Sequence, residues 1–314
     1  MLTYTLRRIL ITIPLVLIVA AGTFGLVYLI PGDPARSILG DGATVAQIDA
    51  VRRELGLDSS LPVQLGRWIS SFFLGDLGNS FQYHVPVTQL IGNRMSVTVS
   101  IVIVGLIFSL LIGIPAGVVA GLRPGSKTDR AVTFLTTVGL AVPTFWLAML
   151  LVGLFAISLR MFNATGYTPI SDGIGPWLHA MILPGLAVAL TSAADCARQT
   201  RSSVAAVADA DYVRTSRAMG LKTRSIVFRH ILRNSGVPII TVAGLQVERL
   251  IGAAVVIEIV FGMPGIGQLI LTSVLSKDVP TIQGVVVLLG TVIILMNLLV
   301  DVSYAWINPR LRKR

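Results

Sequence analysis

The sequence predicts an all-α integral membrane protein with six spans and both termini in the cytosol. Three observations carry this. Hydrophobic residues make up 54% of the chain and charged residues 13%, against about 25% charged in a soluble domain. Apolar runs near the ~20 residues needed to cross the hydrocarbon layer recur six times. Lysine and arginine gather in alternate segments between those runs, which sets the orientation of a bundle.

The first run is Ile9–Ile30, just after Arg7 and Arg8. It is too long for a signal-peptide core and shows no clear A-x-A site, so it reads as a retained span. The loop 31–95 follows. Thr44 and Gln47 form a capping-box pattern, and Ile48, Val51 and Leu55 then recur at helical spacing. A second apolar patch holds Leu65, Trp68, Ile69, Phe72 and Phe73. Short helices on the outer surface are expected, and they either cap the bundle or offer a docking platform.

The second run, Ser96–Leu122, carries Gly113, Gly117 and Gly121 at four-residue spacing, a pattern that lets another helix approach closely. The third, Ala131–Leu159, contains Pro143, Phe145 and Trp146. A proline kink explains these, and a path-lining role is the alternative. The fourth, Met181–Ala197, is short and holds Pro184 and Asp195. The fifth, Gly236–Phe261, holds Gln246 and the adjacent charges Glu248 and Arg249 near its middle. Charges at that depth are expensive and face a cavity or a partner. Neighbours in a helix do not face each other, so either an interhelical pair with Asp195 or Asp301 or a cavity-lining role is open. The sixth, Gly284–Ile307, ends with Tyr304 and Trp306 at the interface. The chain divides into 1–30, the loop 31–95, a core 96–307 containing the loop 198–235, and a basic tail 308–314.

Seventeen of the 25 lysines and arginines lie in the N-terminal pair, the turn 123–130, the stretch 198–233 and the tail. Those segments are therefore expected in the cytosol. The net charge of +10 would indicate nucleic acid in a soluble protein; here topology accounts for it and no nucleic acid is expected. The single Cys196 forms no internal disulfide, and His84, His179 and His230 lie far apart, so no metal site is expected. Gly125-Ser126-Lys127-Thr128 lacks the spacing and strand context of a phosphate loop. No G-x-S-x-G is present for a membrane hydrolase. The chain reads as neither enzyme nor ATP binder.

The stretch 198–233 is too polar to span. Ala205–Ala208 favours helix, Asp209 and Asp211 precede Arg214 and Arg217 in the order a helix dipole favours, and Gly220 is a natural stop. Thr223 is a candidate cap for a second short helix with Ile226, Val227 and Ile231 on its apolar side. Two short helices are expected to meet near a glycine, as a docking element for a cytosolic protein or as a basic surface for anionic lipid.

DYVRTSRAMGLKTRSIVFRHILRN resembles the cytoplasmic loop of binding-protein-dependent ABC transporter permeases, and most closely the B-type permeases of the dipeptide/oligopeptide/nickel importers. PGDPA at 31–35, LGLD at 55–58, GDLGNS at 75–80, EIVFGMPGIGQL at 258–269 and DVSYAWINPRLRK at 301–313 are similar to signatures of that subfamily in the same order. The resemblance implies a type I ABC importer permease in a bacterial-type inner membrane. It implies a second homologous permease, two ATP-binding subunits that hold ATP and magnesium, and an extracytoplasmic binding protein. No cofactor is implied in this chain. Its coupling helix would be Asp211–Leu221, with Asp211, Tyr212, Arg214, Thr215, Arg217, Ala218, Gly220 and Leu221 facing an ATPase. Arg214, Thr215 and Ser216 stand at the positions that name the parent E-A-A motif, and Ser216 and Met219 replace the more usual alanine and lysine. Gln246, Glu248, Arg249 and Trp146 are expected along the path, and Trp68, Phe72, Asp76 and Pro264 where a binding protein would dock. Di- or oligopeptides are the expected substrates, with glutathione or a nickel or other metal chelate as alternatives. A stand-alone secondary transporter is the competing class; it would show intramembrane relays and often internal repeats.

Overall fold

A computed structural model describes residues 2–27, 35, 39, 42–54 and 56–307. Most of the PGDPA stretch, Leu55 and the tail 308–314 lie outside the described residues, as do the side chains of Arg7, Val51, Asp301, Tyr304 and Trp306.

The chain is helical. Helix α1 spans Leu2–Val27, α2 Val45–Glu54, α3 Leu61–Phe73 and α4 Val87–Leu122. Helix α5 spans Lys127–Ala141, and α6 spans Thr144–Leu151 and continues as a π-turn over Val152–Ser158. Helix α7 spans Ile174–Ala208, and α8 Asp211–Ala218. A helical turn at Thr223–Ser225 and a π-turn at Ile226–Ile231 lead into α9, Leu232–Val260; α10 (Ile266–Leu275) and α11 (Val279–Ile307) follow. Among the described residues, four helices (α1, α4, α7 and α11) are long and apolar enough to cross a membrane, or five if the bent pair α5 and α6 is one span. The 29-residue α9 carries the fifth predicted run.

The third run is not one helix. Between Ala141 and Thr144 the axis turns by 102°. Pro143 supplies no N–H and drives the residue before it out of the helical region; Val142 sits at φ −83°, ψ 124°. Pro143 then becomes the N-cap of α6. Pro184, by contrast, lies inside α7 without ending it, and α7 runs beyond the apolar run Met181–Ala197 at both ends.

The chain forms two compact units. One comprises Val97–Pro264 and the residues from Leu299 on; the other comprises Leu2–Ser96 and Gly265–Leu298. In the first unit the expected glycine ladder is the seam between α4 and α7. A Cβ on Gly113 would meet the Ala193 carbonyl oxygen at 2.8 Å, on Gly117 the Ala197 oxygen at 2.5 Å, and on Gly121 the Arg201 oxygen at 2.7 Å. Only glycine lets the backbones approach so closely. From the other side, Gly185 of α7 receives Val104 of α4, where a Cβ would lie 2.5 Å from Val104 Cγ1.

In the second unit Ala20, Leu77, Val87, Ile91, Ile266 and Leu269 are buried in one cluster. The capping box of α2 forms as predicted: Thr44 N–H donates to Gln47 Oε1 at 2.9 Å, and Gln47 N–H donates to Thr44 Oγ1 at 3.4 Å. Helix α3 turns Trp68, Ile69 and Phe72 toward the cluster, and Trp68 stacks on Phe72 with centroids 6.2 Å apart.

Candidate functional site

The glycine-centred loop is a built element. Ala210 is the N-cap of α8, and Val213 and Ser216 are its buried residues. Val213 joins Val204, Ala208, Ile226 and Ile231 in a core cluster, with Val118 and Leu122 packed against it. The sequence-predicted apolar side of the second segment, Ile226 and Ile231, is thus what seats α8. Thr223 is not its cap: Lys222 holds that position by backbone alone, and the segment is a single turn that merges into α9. The short stretch gives way because the π-turn carries the chain directly into the next long helix.

Helix α8 stops by a Schellman motif. Leu221 N–H donates to the Ser216 carbonyl and Gly220 N–H to the Arg217 carbonyl, at 3.3 and 3.0 Å. Gly220 takes φ +75°, and nothing lies within 4 Å of where its Cβ would be. Backbone conformation, not space, calls for glycine here. The opposite face is open: Asp211, Tyr212, Arg214, Thr215, Arg217 and Ala218 are exposed, with Met219 at 76% and Leu221 at 44%. Arg214 bonds Asp209 at 2.7 Å, and Asn234 donates to the Tyr212 hydroxyl at 3.0 Å. The Arg214 hydrogen bond holds the Asp209 carboxyl below its ordinary range. The stabilisation is therefore present above the usual carboxylate pKa and lost as pH falls through the lowered value. The pair is intact at neutral pH.

Gly125-Ser126-Lys127-Thr128 is a helix start. Ser126 caps α5 by accepting the Asp129 N–H at 3.2 Å. Asp129 takes the Gly125 N–H at 2.8 Å and is gripped by Arg201 of α7 through Nε and Nη2.

Deeper in the same unit, Asp195 of α7 organises the charges. Its side chain is 3% exposed. Oδ1 accepts from Arg198 at 2.8 Å; Oδ2 accepts from Gln199 at 2.8 Å, from Gln246 at 3.1 Å and from Arg249. Arg249 pairs with Asp195, one of the two interhelical partners the sequence offered; the Asp301 side chain lies outside the described residues. Gln246 is buried, while Glu248 and Arg249 are exposed. Trp146 lies elsewhere, 48% exposed, in an apolar groove of about 410 Å3 at the α5–α6 bend lined by Val138, Ala141, Val142, Pro143, Phe145 and Trp146. Within the first unit Glu258 is fully buried and accepts from Thr98 Oγ1. Gly262, at φ +57°, turns the chain so that Met263 N–H reaches the Glu258 carbonyl at 2.8 Å and Pro264 is exposed.

In the second unit Trp68 and Phe72 are half-buried in packing, so the free surface at the end of α3 belongs to Phe73 and Leu74 instead, 61% and 86% exposed. Asp76 is exposed and accepts the Gly78 N–H at 2.9 Å. Asp278, buried before α11, accepts from Ser80 Oγ at 2.5 Å, Phe81 N–H at 3.0 Å and Thr281 Oγ1 at 2.8 Å.

A family model described as the inner membrane component of binding-protein-dependent transport systems matches residues 113–313. The chain belongs to that family. A second model, for the N-terminal part of such transport components, matches residues 1–102. The chain is therefore a multi-pass permease component of the inner membrane. A Brucella abortus relative carried under a peptide transport system permease name is 42% identical over 98% of both chains. A Sinorhizobium fredii protein named a probable peptide ABC transporter permease is 40% identical over 98% of this chain and 99% of its own. The glutathione transport system permease protein of Salmonella paratyphi A is 41% identical over 99% of both. The fold is shared with a chain of the MetNI methionine ABC transporter in an inward-facing conformation, at TM-score 0.59 and 19% identity over 70% of this chain and 97% of that one.

Sequence reasoning missed three buried carboxylates of this transport component: Asp129, Glu258 and Asp278. Asp278 and its partner Ser80 are 198 residues apart, and no local pattern joins them. Asp278→Ala leaves its donors unpartnered at about 1–3 kcal/mol for each buried group. We expect faster tryptic cleavage at Lys277 in the variant, and an unchanged rate would show that the clamp is idle.

Proposed function

We propose that this permease is one translocation subunit of an ATP-driven importer for di- or oligopeptides, with glutathione as the nearest alternative. The peptide and glutathione names of relatives above 40% identity support the substrate class. The observation that carries the mechanism is α8: an exposed face on a helix seated by Val213 and ended by Gly220. A lever needs a fixed shape and a free surface, and this loop has both. In this reading six spans, with α9 as the fifth, place both termini in the cytosol. Two ATPase subunits hold ATP and magnesium, dock on the α8 faces of this chain and a second permease, and pull them together as they close. An extracytoplasmic binding protein delivers the solute on the other side, where Asp76 and Pro264 are exposed. Glu248, Arg249, Gln246 and Trp146 belong to the path. The chain itself catalyses nothing.

Gentle solubilisation from the native membrane should recover a second permease and ATPase chains with this one. Gly220→Asn keeps the left-handed turn and should keep the ATPases; Gly220→Val, strained by about 1–2 kcal/mol at that φ, should shed most of them while the permease stays folded. Recovery of this chain alone under every mild condition would promote the stand-alone carrier.

A further inference from the structure

We propose that Arg249 receives the carboxylate of the transported peptide's C-terminal residue, with Asp195 as its positioning partner. This rests on the peptide-import reading above.

The argument starts from the crowding of donors at Asp195 Oδ2. Arg198 takes Oδ1, and Gln199, Gln246 and Arg249 converge on Oδ2, more than the two lone-pair sites of one carboxylate oxygen. The oxygen that Arg249 uses is fully engaged. Arg249 is in the opposite state. A guanidinium carries five N–H donors, Asp195 engages it through Nη1, and its side chain remains 61% exposed. Two guanidinium groups, Arg198 and Arg249, share one carboxylate, so the cluster is positive by one charge. Among the described residues Asp195 is the carboxylate that pairs with Arg249. Glu248 is its chain neighbour, about 100° round the helix, and makes no ion pair with it.

Position makes that open charge informative. Arg249 lies about 26 Å along α9 from Leu232 and about 17 Å short of Val260. A guanidinium at such depth is not left facing lipid; its open side meets water, an anion or protein. Gln246, three residues earlier and on the same face, donates to the same Asp195 oxygen. Its own Oε1 is buried and has no partner, which is rare enough to need a reason. The exposed donors that Arg249 keeps beyond Nη1 complement one group at the end of a peptide, its terminal carboxylate. The bond to Asp195 holds the long Arg249 side chain in one rotamer, so less freedom is lost when the carboxylate arrives.

The test uses the complete transporter in proteoliposomes, with its binding protein saturated by trialanine or by trialanine amide. The wild type should move the free acid about tenfold faster than the amide, the effect of one charge-assisted pair. Arg249→Gln should bring the two rates together by slowing the acid. Arg249→Lys, which keeps the charge beside Asp195 but loses the fork, should give an intermediate ratio and covers the case in which the glutamine variant fails to assemble. A purely structural Arg249 would slow acid and amide alike and leave the ratio unchanged in both variants, which overturns the proposal. A wild type that moves both forms equally overturns it too, with peptide import intact. A wild type that moves neither peptide overturns the import reading and this proposal with it.

Discussion

Gly117→Leu will remove the folded permease from the membrane. The added Cβ alone would lie 2.5 Å from the Ala197 carbonyl oxygen and 2.6 Å from Thr200 Cβ. The first of those atoms is backbone, so no rotamer change relieves the clash. The helices must separate, and Gly113 and Gly121, one turn either side, hold them at the same spacing. Overpacking by a methyl group costs about 1–3 kcal/mol, so Gly117→Ala should lower the yield and leucine should abolish it. Gly252 of α9 is the control, because nothing lies within 4 Å of its Cβ position; Gly252→Ala should be neutral or gain up to about 1 kcal/mol of helix propensity. Size-exclusion profiles of the detergent-extracted variants read this directly. A normal monodisperse peak for Gly117→Leu would mean that α4 and α7 do not meet along this seam.

The second large effect is at Asp195. Asp195→Leu deprives two guanidinium groups and two amides of their shared acceptor. Removing one member of a buried pair costs about 3–5 kcal/mol. The low end applies, because Arg198 and Arg249 side chains are 64% and 61% exposed and keep some access to water. Thermal stability of the purified complex should fall sharply. Adding Arg249→Leu should return part of it, since the double change removes the orphaned charge along with its partner. Transport should not return with it. A single variant as stable as wild type would show that the cluster contributes nothing to the fold.

Much of this architecture is written locally. Apolar runs mark the long helices because crossing a membrane needs length and little else. The ladder at Gly113, Gly117 and Gly121 announces close packing because no other side chain permits it. Gly220 announces the end of α8 because a left-handed turn there excludes most residues. Other features were open or only partly legible, because local sequence does not fix angles or distant packing. Pro143 signals a break but not an angle of 102°. Trp68 and Phe72 read equally as docking aromatics and as packing, and only the fold turns them inward. Asp195 was legible as an odd charge and as one of the partners open to Arg249, and that pair forms; that Arg198, Gln199 and Gln246 join it was not, since the donors come from two helices.

The Schellman stop after α8 separates shape from address. The bend and reach of this loop are fixed by Gly220, by backbone hydrogen bonds at Ser216 and Arg217, and by the hidden Val213. None of these is a side chain of the face carrying Tyr212, Arg214, Thr215 and Arg217. In the proposed coupling role, that face can vary, residue by residue, while the reach of the loop stays fixed. Under that proposal, a change of ATPase partner needs only a few substitutions on the exposed face, while the seat and stop of the helix are kept.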